Sequence, residues 1–178
     1  MNLTQQTAVG TAEMSYSING GTEQSLSGSA KTFIFYDDGQ PYQAYVELNF
    51  ETLYLNFGVD PFTGVGSYSS LPYLMFTDPA LLNANCHGFW TTPDDGPAPI
   101  FDVTTFTVSG DTVWGSSLSA SLAWYVEDCD QPPAQLTASA LTLTTSPVPD
   151  APSADFAEAV RTETTKHARR IGVKSFPA

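Results

Sequence analysis

Two carboxylates on one segment are the first residues whose type and spacing could support catalysis. Glu47 and Glu51 stand among alternating apolar residues, and glycosidases place their two carboxyl groups about 5–9.5 Å apart. Four residues of extended chain separate these two backbones by about 13 Å, which is too far for such a pair. Glu127 could pair with either from another strand, but no pattern requires it. We therefore interpret Glu47 and Glu51 as members of a solvated sheet face and expect no enzymatic activity.

Nucleophilic catalysis has less support in the sequence. The chain has two histidines, His87 and His167, and no Gly-x-Ser-x-Gly motif that would expose a serine nucleophile. Cys86 directly precedes His87, and neighbouring residues of a strand point to opposite faces. The sequence therefore favours a structural or surface role for His87 over a thiolate–imidazole pair.

Acidic clusters are the candidates for metal binding. Aspartates and glutamates are concentrated at 37–39, 94–96 and 127–130, all on predicted loops, and carboxylate oxygens suit Ca²⁺. None of the three clusters has the spacing of an EF-hand. Zinc and other transition metals prefer His and Cys, of which the chain has too few. We expect no cofactor, with Ca²⁺ as the alternative that these loops leave open.

Aromatic residues could instead stack on sugar rings. Trp124 alternates in phase with Leu122 and Val126, so we assign it to the core. Trp90 and Trp114 are less tied to a strand phase. They are the candidate residues for an alternative glycan-stacking surface.

Charge divides the chain into two parts. The first 149 residues carry one cation, Lys31, against fifteen carboxylates, whereas 150–178 carry five cations and four carboxylates. A net charge of −13 repels nucleic acid and anionic membranes, so we expect neither as a partner. An acidic body followed by a short basic segment indicates a soluble module with an attachment element.

The sequence shows no membrane span or export signal. No stretch approaches about 18 consecutive apolar residues, and the first residues lack the basic start and apolar core of a secretory signal. We expect no membrane insertion, and either use without export or a signal that has been removed.

Cys86 and Cys129 are the only two cysteines. Paired, they would close a loop of about 44 residues and stabilise the fold by about 4 kcal/mol in the chain-entropy model. The alternative is a pair of free, buried thiols. An even count in a β context favours the disulfide.

Strand patterns dominate residues 9–145 of an acidic module that we assign to 1–145. Short segments of alternating apolar and polar residues are separated by turn residues, as at Asn19-Gly20-Gly21 and Ser109-Gly110-Asp111. About nine such strands predict an all-β fold, an antiparallel β-sandwich of jelly-roll or Greek-key-like topology.

One segment of the body changes its alternation. Even-numbered residues are apolar in 44–50, whereas odd-numbered residues are apolar in 53–57. Within one strand, a period of two changes phase only at a bulge or where the strand crosses between sheets. We therefore expect one of these two features near Thr52.

The C-terminal part reads as a linker and a helix. Three prolines make residues 146–152 a stiff, extended linker. Residues 153–178 then have helical periodicity, with Ser153 as N-cap and Gly172 as the stop. The residues expected to dock this amphipathic, basic helix onto a partner are Phe156, Val160, Arg161, Lys166, Arg169, Arg170, Ile171 and Lys174.

Four segments of the body follow a recognisable order. They are an entry strand at 14–20, a strand of small residues at 64–69, a Cys-His-Gly-Phe-Trp run at 86–90 and a hairpin at 103–122. Across residues 12–145 this order resembles the small secreted β-sandwich modules of bacterial lipoproteins. The resemblance implies a sandwich body and carries no functional residues. The chain departs from these modules because no lipid-attachment cysteine stands near its N-terminus.

These patterns together favour a non-enzymatic structural or interaction subunit. We expect an accessory protein of a virion or another multi-subunit particle, docked by its C-terminal helix onto protein subunits that include copies of itself. The alternative is a carbohydrate-binding β-sandwich module, secreted or surface-attached, with Ca²⁺ as a possible requirement.

Overall fold

The computed structural model of the chain describes residues 3–83, 85–126 and 129–148. The predicted C-terminal helix and all but the first three residues of the predicted linker lie outside these residues.

The described residues form ten strands and one short 3₁₀ turn. The strands are β1 (Leu3–Ile18), β2 (Gln24–Asp37), β3 (Gln40–Asn49), β4 (Tyr54–Val59), β5 (Gly66–Tyr68), β6 (Met75–Thr77), β7 (Trp90–Thr91), β8 (Ile100–Ser109), β9 (Asp111–Trp124) and β10 (Ala134–Pro147). The 3₁₀ turn spans Pro79–Leu81, where the sequence indicates a helical turn.

Tight turns join the long strands as their residue types require. Asn19 and Gly20 both have positive φ, 52° and 67°, and connect β1 to β2. Asp38 and Gly39 have φ of 48° and 81° and connect β2 to β3. Asp38 and Gly39 form a two-residue hairpin loop, whereas Asn19 and Gly20 are the centre of a turn, closed by the N–H of Gly21 on the carbonyl of Ile18 at 2.9 Å, within the longer connection 19–23. Asn, Asp and Gly adopt the positive φ of such turns most easily. The predicted hairpin at Asn19-Gly20-Gly21 is therefore confirmed.

All ten strands belong to one antiparallel sheet whose pairing returns to its start. The order is β10-β1-β2-β3-β4-β6-β7-β9-β8-β5, and β9 also pairs with β10. Eight strands therefore form a closed ring, while β8 branches from the first part of β9 and carries β5. The all-β, antiparallel prediction is confirmed, with ten strands in place of about nine.

Aromatic side chains fill the space inside the ring. Phe57 of β4 and Phe101 of β8 meet edge to face, with 4.9 Å between ring centroids. Phe62 stacks on Trp114 of β9 at 5.0 Å. Strands β4 and β8 are not neighbours in the sheet, and Phe62 follows β4 in the connection to β5, so both contacts join parts of the fold that the ladder does not. Such ring pairs add to the gain from burial.

The change of alternation near Thr52 comes from a reversal of the chain. Strand β3 ends at Asn49 and β4 begins at Tyr54, and Phe50 donates its backbone N–H to the carbonyl of Leu53 at 2.9 Å. The two phases thus belong to two hydrogen-bonded strands. The expectation of a bulge or a sheet crossing was wrong, because a short turn resets the phase equally well.

The last strand reaches further than the predicted boundary at residue 145. Pro147 still pairs with Ala8, and the N–H of Val148 donates to the carbonyl of Thr7 at 2.9 Å. A proline is compatible with the end of a strand, where its missing N–H breaks no ladder.

Among the residues described here, no helix is long and apolar enough to cross a membrane.

Candidate functional site

The residues predicted to dock the C-terminal helix cannot be placed on the fold. All eight, from Phe156 to Lys174, lie outside the described residues. Their role stays a prediction.

The two tryptophans offered as a glycan-stacking surface are buried. Trp90 is 1% exposed, donates its indole N–H to the carbonyl of Pro132 at 3.1 Å, and packs against Trp124. Trp114 is 0% exposed and stacks on Phe62. Neither ring offers a free face to a sugar. Trp114 shares the phase of Leu118 in β9, a signal that would have identified it as core.

The predicted disulfide is present. Cys86 and Cys129 are bonded, with their Cα atoms 5.7 Å apart. Gln131 donates its side-chain amide to the sulfur of Cys86 at 3.0 Å. Cys86 therefore has no free thiol for catalysis, and His87 beside it is exposed.

The acidic clusters form no metal site in the part of the chain that the structure describes. Within it, no three His, Cys, Asp or Glu side chains come together as a metal would require. Glu127 and Asp128 of the third cluster lie outside that part.

The two candidate carboxylates lie in different environments. Glu51 is exposed on the turn between β3 and β4. Glu47 is partly buried on β3, directly opposite Lys31 of β2 and Asn56 of β4. Tyr45 lies two residues before Glu47 and therefore on the same outward face.

A cluster of aromatic and polar side chains surrounds Glu47 on the outside of the sheet. It consists of Lys31, Phe33, Tyr45, Glu47, Tyr54, Asn56 and Tyr73, and we call it the tyrosine face. Strands β2, β3 and β4 position six of its members, and the turn before β6 supplies Tyr73.

The ring of Phe33 contacts two other members of the tyrosine face, Tyr45 and Lys31. Phe33 pairs across the sheet with Tyr45, with 6.1 Å between ring centroids. The ammonium of Lys31 lies 4.8 Å from the centroid of Phe33. A cation over a ring face is attracted by the ring quadrupole, and the same ammonium lowers the pKa of Glu47, which pairs with Lys31 across the sheet.

Asn56 places a buried polar side chain next to Tyr54 on the tyrosine face. It is 6% exposed and donates its amide to the hydroxyl of Tyr54 at 3.3 Å. Its Oδ1 is buried and has no hydrogen-bond partner among the described residues. Such an unpaired acceptor costs about 1–3 kcal/mol.

A tight turn brings Tyr73 to the face. Gly58 of β4 donates its N–H to the carbonyl of Pro72 at 2.7 Å. A Cβ at Gly58 would stand 3.1 Å from Pro72 Cγ, so glycine lets the turn lie directly on the strand. Tyr73 itself is 39% exposed and has a φ of 62°. This left-handed conformation costs a non-glycine residue about 1–2 kcal/mol.

Burial and neighbouring charge shift the acidity of three groups on the face. Burial raises the pKa of Tyr45 strongly, and the nearby Glu47, Tyr54 and Tyr73 raise it further. Burial raises the pKa of Tyr54, with Glu47 adding to the rise and the Asn56 hydrogen bond opposing it. Burial also raises the pKa of Glu47, while the Lys31 ammonium lowers it. The phenols therefore stay protonated, as hydrogen-bond donors, well into the alkaline range.

Sequence reasoning missed the tyrosine face although two signals pointed to it. Tyr45 and Glu47 share the outward phase of β3, and Lys31 is the single cation of the first 149 residues. The position of Tyr73 depends on the packing of Pro72 against β4, which no local pattern shows.

Known proteins offer no guide to this face. No protein-family model, curated protein or solved structure matches the chain. Its function must therefore be inferred from the geometry and the charge of its own residues.

Proposed function

We propose that the protein is a non-enzymatic structural or interaction subunit. Its acidic β-body is carried into a virion or another multi-subunit particle by the basic segment 149–178, which docks on neighbouring subunits including copies of itself. The observation that carries this proposal is the separation of charge. Residues 3–148 hold Lys31 as their single Lys or Arg, whereas five cations follow the last strand.

The described residues of the body support this proposal because they bury a core of their own. All ten strands and the disulfide lie within residues 3–147. Inside the ring, the contacts of Phe57 with Phe101 and of Phe62 with Trp114 join parts of the fold that the ladder does not. We propose on this basis that the ring is flattened into two packed layers, as in a sandwich, and that the segment 149–178 is not needed for folding.

Electrostatics favour a neighbour's acidic body as the docking surface. Bodies of like charge repel one another, which keeps free copies apart. A helix at 153–178 would bring its five cations and an apolar stripe to such a body. The Pro-rich linker would hold this helix away from its own module.

Truncation tests the proposed function. The chain 1–148 should stay monomeric and keep the unfolding temperature of the full chain, since it retains all ten strands of the described residues. The full chain should self-associate in sedimentation measurements at low ionic strength and dissociate at about 0.5 M salt, where charges are screened beyond about 4 Å.

Two charge variants of the full chain provide the matched controls. The first replaces Arg161, Arg169 and Arg170 by Gln, and the second replaces Asp155, Glu158 and Glu163 by Asn or Gln. Only the first should abolish association. A full chain that sediments as a monomer, or a truncated chain that no longer folds, would contradict the proposal.

A second candidate is a carbohydrate-binding module on a cell or particle surface. The tyrosine face favours it, since the exposed ring of Tyr73 and the half-buried phenols of Tyr45 and Tyr54 beside hydrogen-bonding groups suit a sugar, whereas the buried Trp90 and Trp114 do not. The disulfide agrees with an oxidising, extracellular setting for either candidate.

A further inference from the structure

We propose that the tyrosine face is the binding site for a neutral saccharide. This inference rests on the second candidate function, the carbohydrate-binding module, and is independent of docking through the segment 149–178. The residues that we propose contact the saccharide, or orient those that do, are Tyr73, Tyr45, Tyr54, Glu47 and Asn56.

The backbone of Tyr73 is the first argument. An exposed tyrosine occupies a left-handed conformation, with φ of 62°, that glycine would adopt without strain. Strain of this kind is retained where the side chain itself is needed. Tyr73 is near enough to Tyr45 to raise its pKa, and its exposed ring can contact the apolar side of a sugar.

Hydrogen-bonding groups are the second argument. Glu47 supplies a carboxylate acceptor, and the phenols of Tyr45 and Tyr54 supply donors that remain protonated. Asn56 donates its amide to the hydroxyl of Tyr54 and so leaves the proton of that phenol free to be donated to a ligand. Sugar hydroxyls both donate and accept, so they complement a mixed set of this kind.

Charge selects the class of ligand. Lys31 and Glu47 lie opposite each other, so the face is close to neutral within a strongly acidic body. An anionic ligand would be repelled by the body, and a cationic one would be attracted to the whole acidic surface and not to this face. Among neutral ligands, a saccharide offers both an apolar side for a ring face and hydroxyls that donate and accept hydrogen bonds.

An array of neutral oligosaccharides built from glucose, galactose, mannose and N-acetylglucosamine tests the inference with the full chain. At least one oligosaccharide should bind, and calorimetry should give a measurable Kd. Tyr73→Gly should weaken that binding by about tenfold or more without lowering the unfolding temperature, because it removes the ring and also releases the backbone strain. Glu47→Gln should weaken it as well.

Two controls separate recognition from stability. Glu51→Gly relieves backbone strain at a position outside the face, where Glu51 also has a left-handed φ of 66°. Tyr42→Ala removes another exposed tyrosine, 37% accessible, that packs against Phe35. Both should leave the Kd within about twofold, a change of little energetic weight.

The outcomes are distinct from those of the truncation test. The chain 1–148 should bind the saccharide as the full chain does, even though it no longer associates. Failure of every oligosaccharide to bind, unchanged binding by Tyr73→Gly, or occupation of the face by a protein in place of a sugar would overturn the inference. None of these results would affect docking through 149–178.

Discussion

Packing by neighbouring side chains raises the pKa of Glu47, a residue whose position on its strand predicts a solvated carboxylate. It stands on the outward phase of β3, where a carboxylate is ordinarily solvated. In the folded chain it is partly buried, with Lys31 opposite and tyrosines around it, and burial raises its pKa more than Lys31 lowers it. A proton is therefore bound more tightly by folded Glu47 than by unfolded Glu47.

Replacing Glu47 by Gln should reveal this through the pH dependence of stability. Because the folded pKa lies above the ordinary value of 4.5, ionisation of Glu47 opposes folding. The penalty is absent below the unfolded pKa, grows as pH rises towards the folded pKa, and stays constant above it. The free energy of unfolding of Glu47→Gln relative to wild type should thus increase between pH 4 and pH 7. Denaturant titrations at each pH measure it.

Glu51→Gln is the matched control for that comparison, since it removes an exposed carboxylate from the adjacent turn. A relative stability of Glu47→Gln that is flat or decreases with pH would mean that Glu47 is solvated as the sequence indicated.

For single residues, the periodicity of the sequence predicts which face of the sheet a side chain points to. It does not predict which other elements pack over that side chain. The alternation in β3 correctly places Tyr45 and Glu47 outside and Val46 inside. It cannot show that the turn at Pro72 lies against β4, because that contact joins residues 14 positions apart through a glycine. The candidate site was missed for that reason.

The elements differ greatly in how firmly they close the ring. Strands β1, β2, β9 and β10 pair over long stretches, whereas β6 and β7 have three and two residues and meet at the single pair Phe76 and Trp90. The disulfide connects the chain just before β7 to the chain just after β9. It therefore reinforces the two-residue pairing of β7 with β9, next to the single pair of β6 with β7.

Removing the disulfide should first destabilise the short pairings of β7 with β6 and β9, which we call the seam of the ring. The bridge closes a loop with a sequence separation of 43, so replacing Cys86 and Cys129 by Ala should lower the free energy of unfolding by about 4 kcal/mol. Hydrogen exchange should accelerate most at Trp90 and Thr91, and least in the pairing of β1 with β2. A uniform change across the ring, or none, would show that the seam does not depend on the bridge.

Hairpins were predictable at the scale of elements, and the closure of the ring was not. Asn19-Gly20 specifies its turn through residues that accept positive φ, which is a local property. The first half of β1 lacks a clear alternation, and its pairing with β2 and β10 supplies the order instead. Strands as short as β7 have too few residues to show a period at all.

The whole molecule is organised by the sign of its charge. A body with one cation and a segment with five are joined by a proline-rich linker. The all-β class and the disulfide of the body could be predicted from the sequence, because alternation, turn residues and an even cysteine count are visible in it. The proposal that the basic segment docks on a second molecule concerns a contact between molecules, which the sequence of one chain does not specify.

Photo-crosslinking from the basic segment tests the central claim most directly. A benzoylphenylalanine at position 156 of the full chain, irradiated in a mixture of isotopically light and heavy copies, reports which copy the segment contacts. We expect crosslinks between position 156 of one copy and the acidic body of another, and their loss at high salt. Crosslinks confined to the same copy would contradict the claim that this segment attaches the protein to its neighbours.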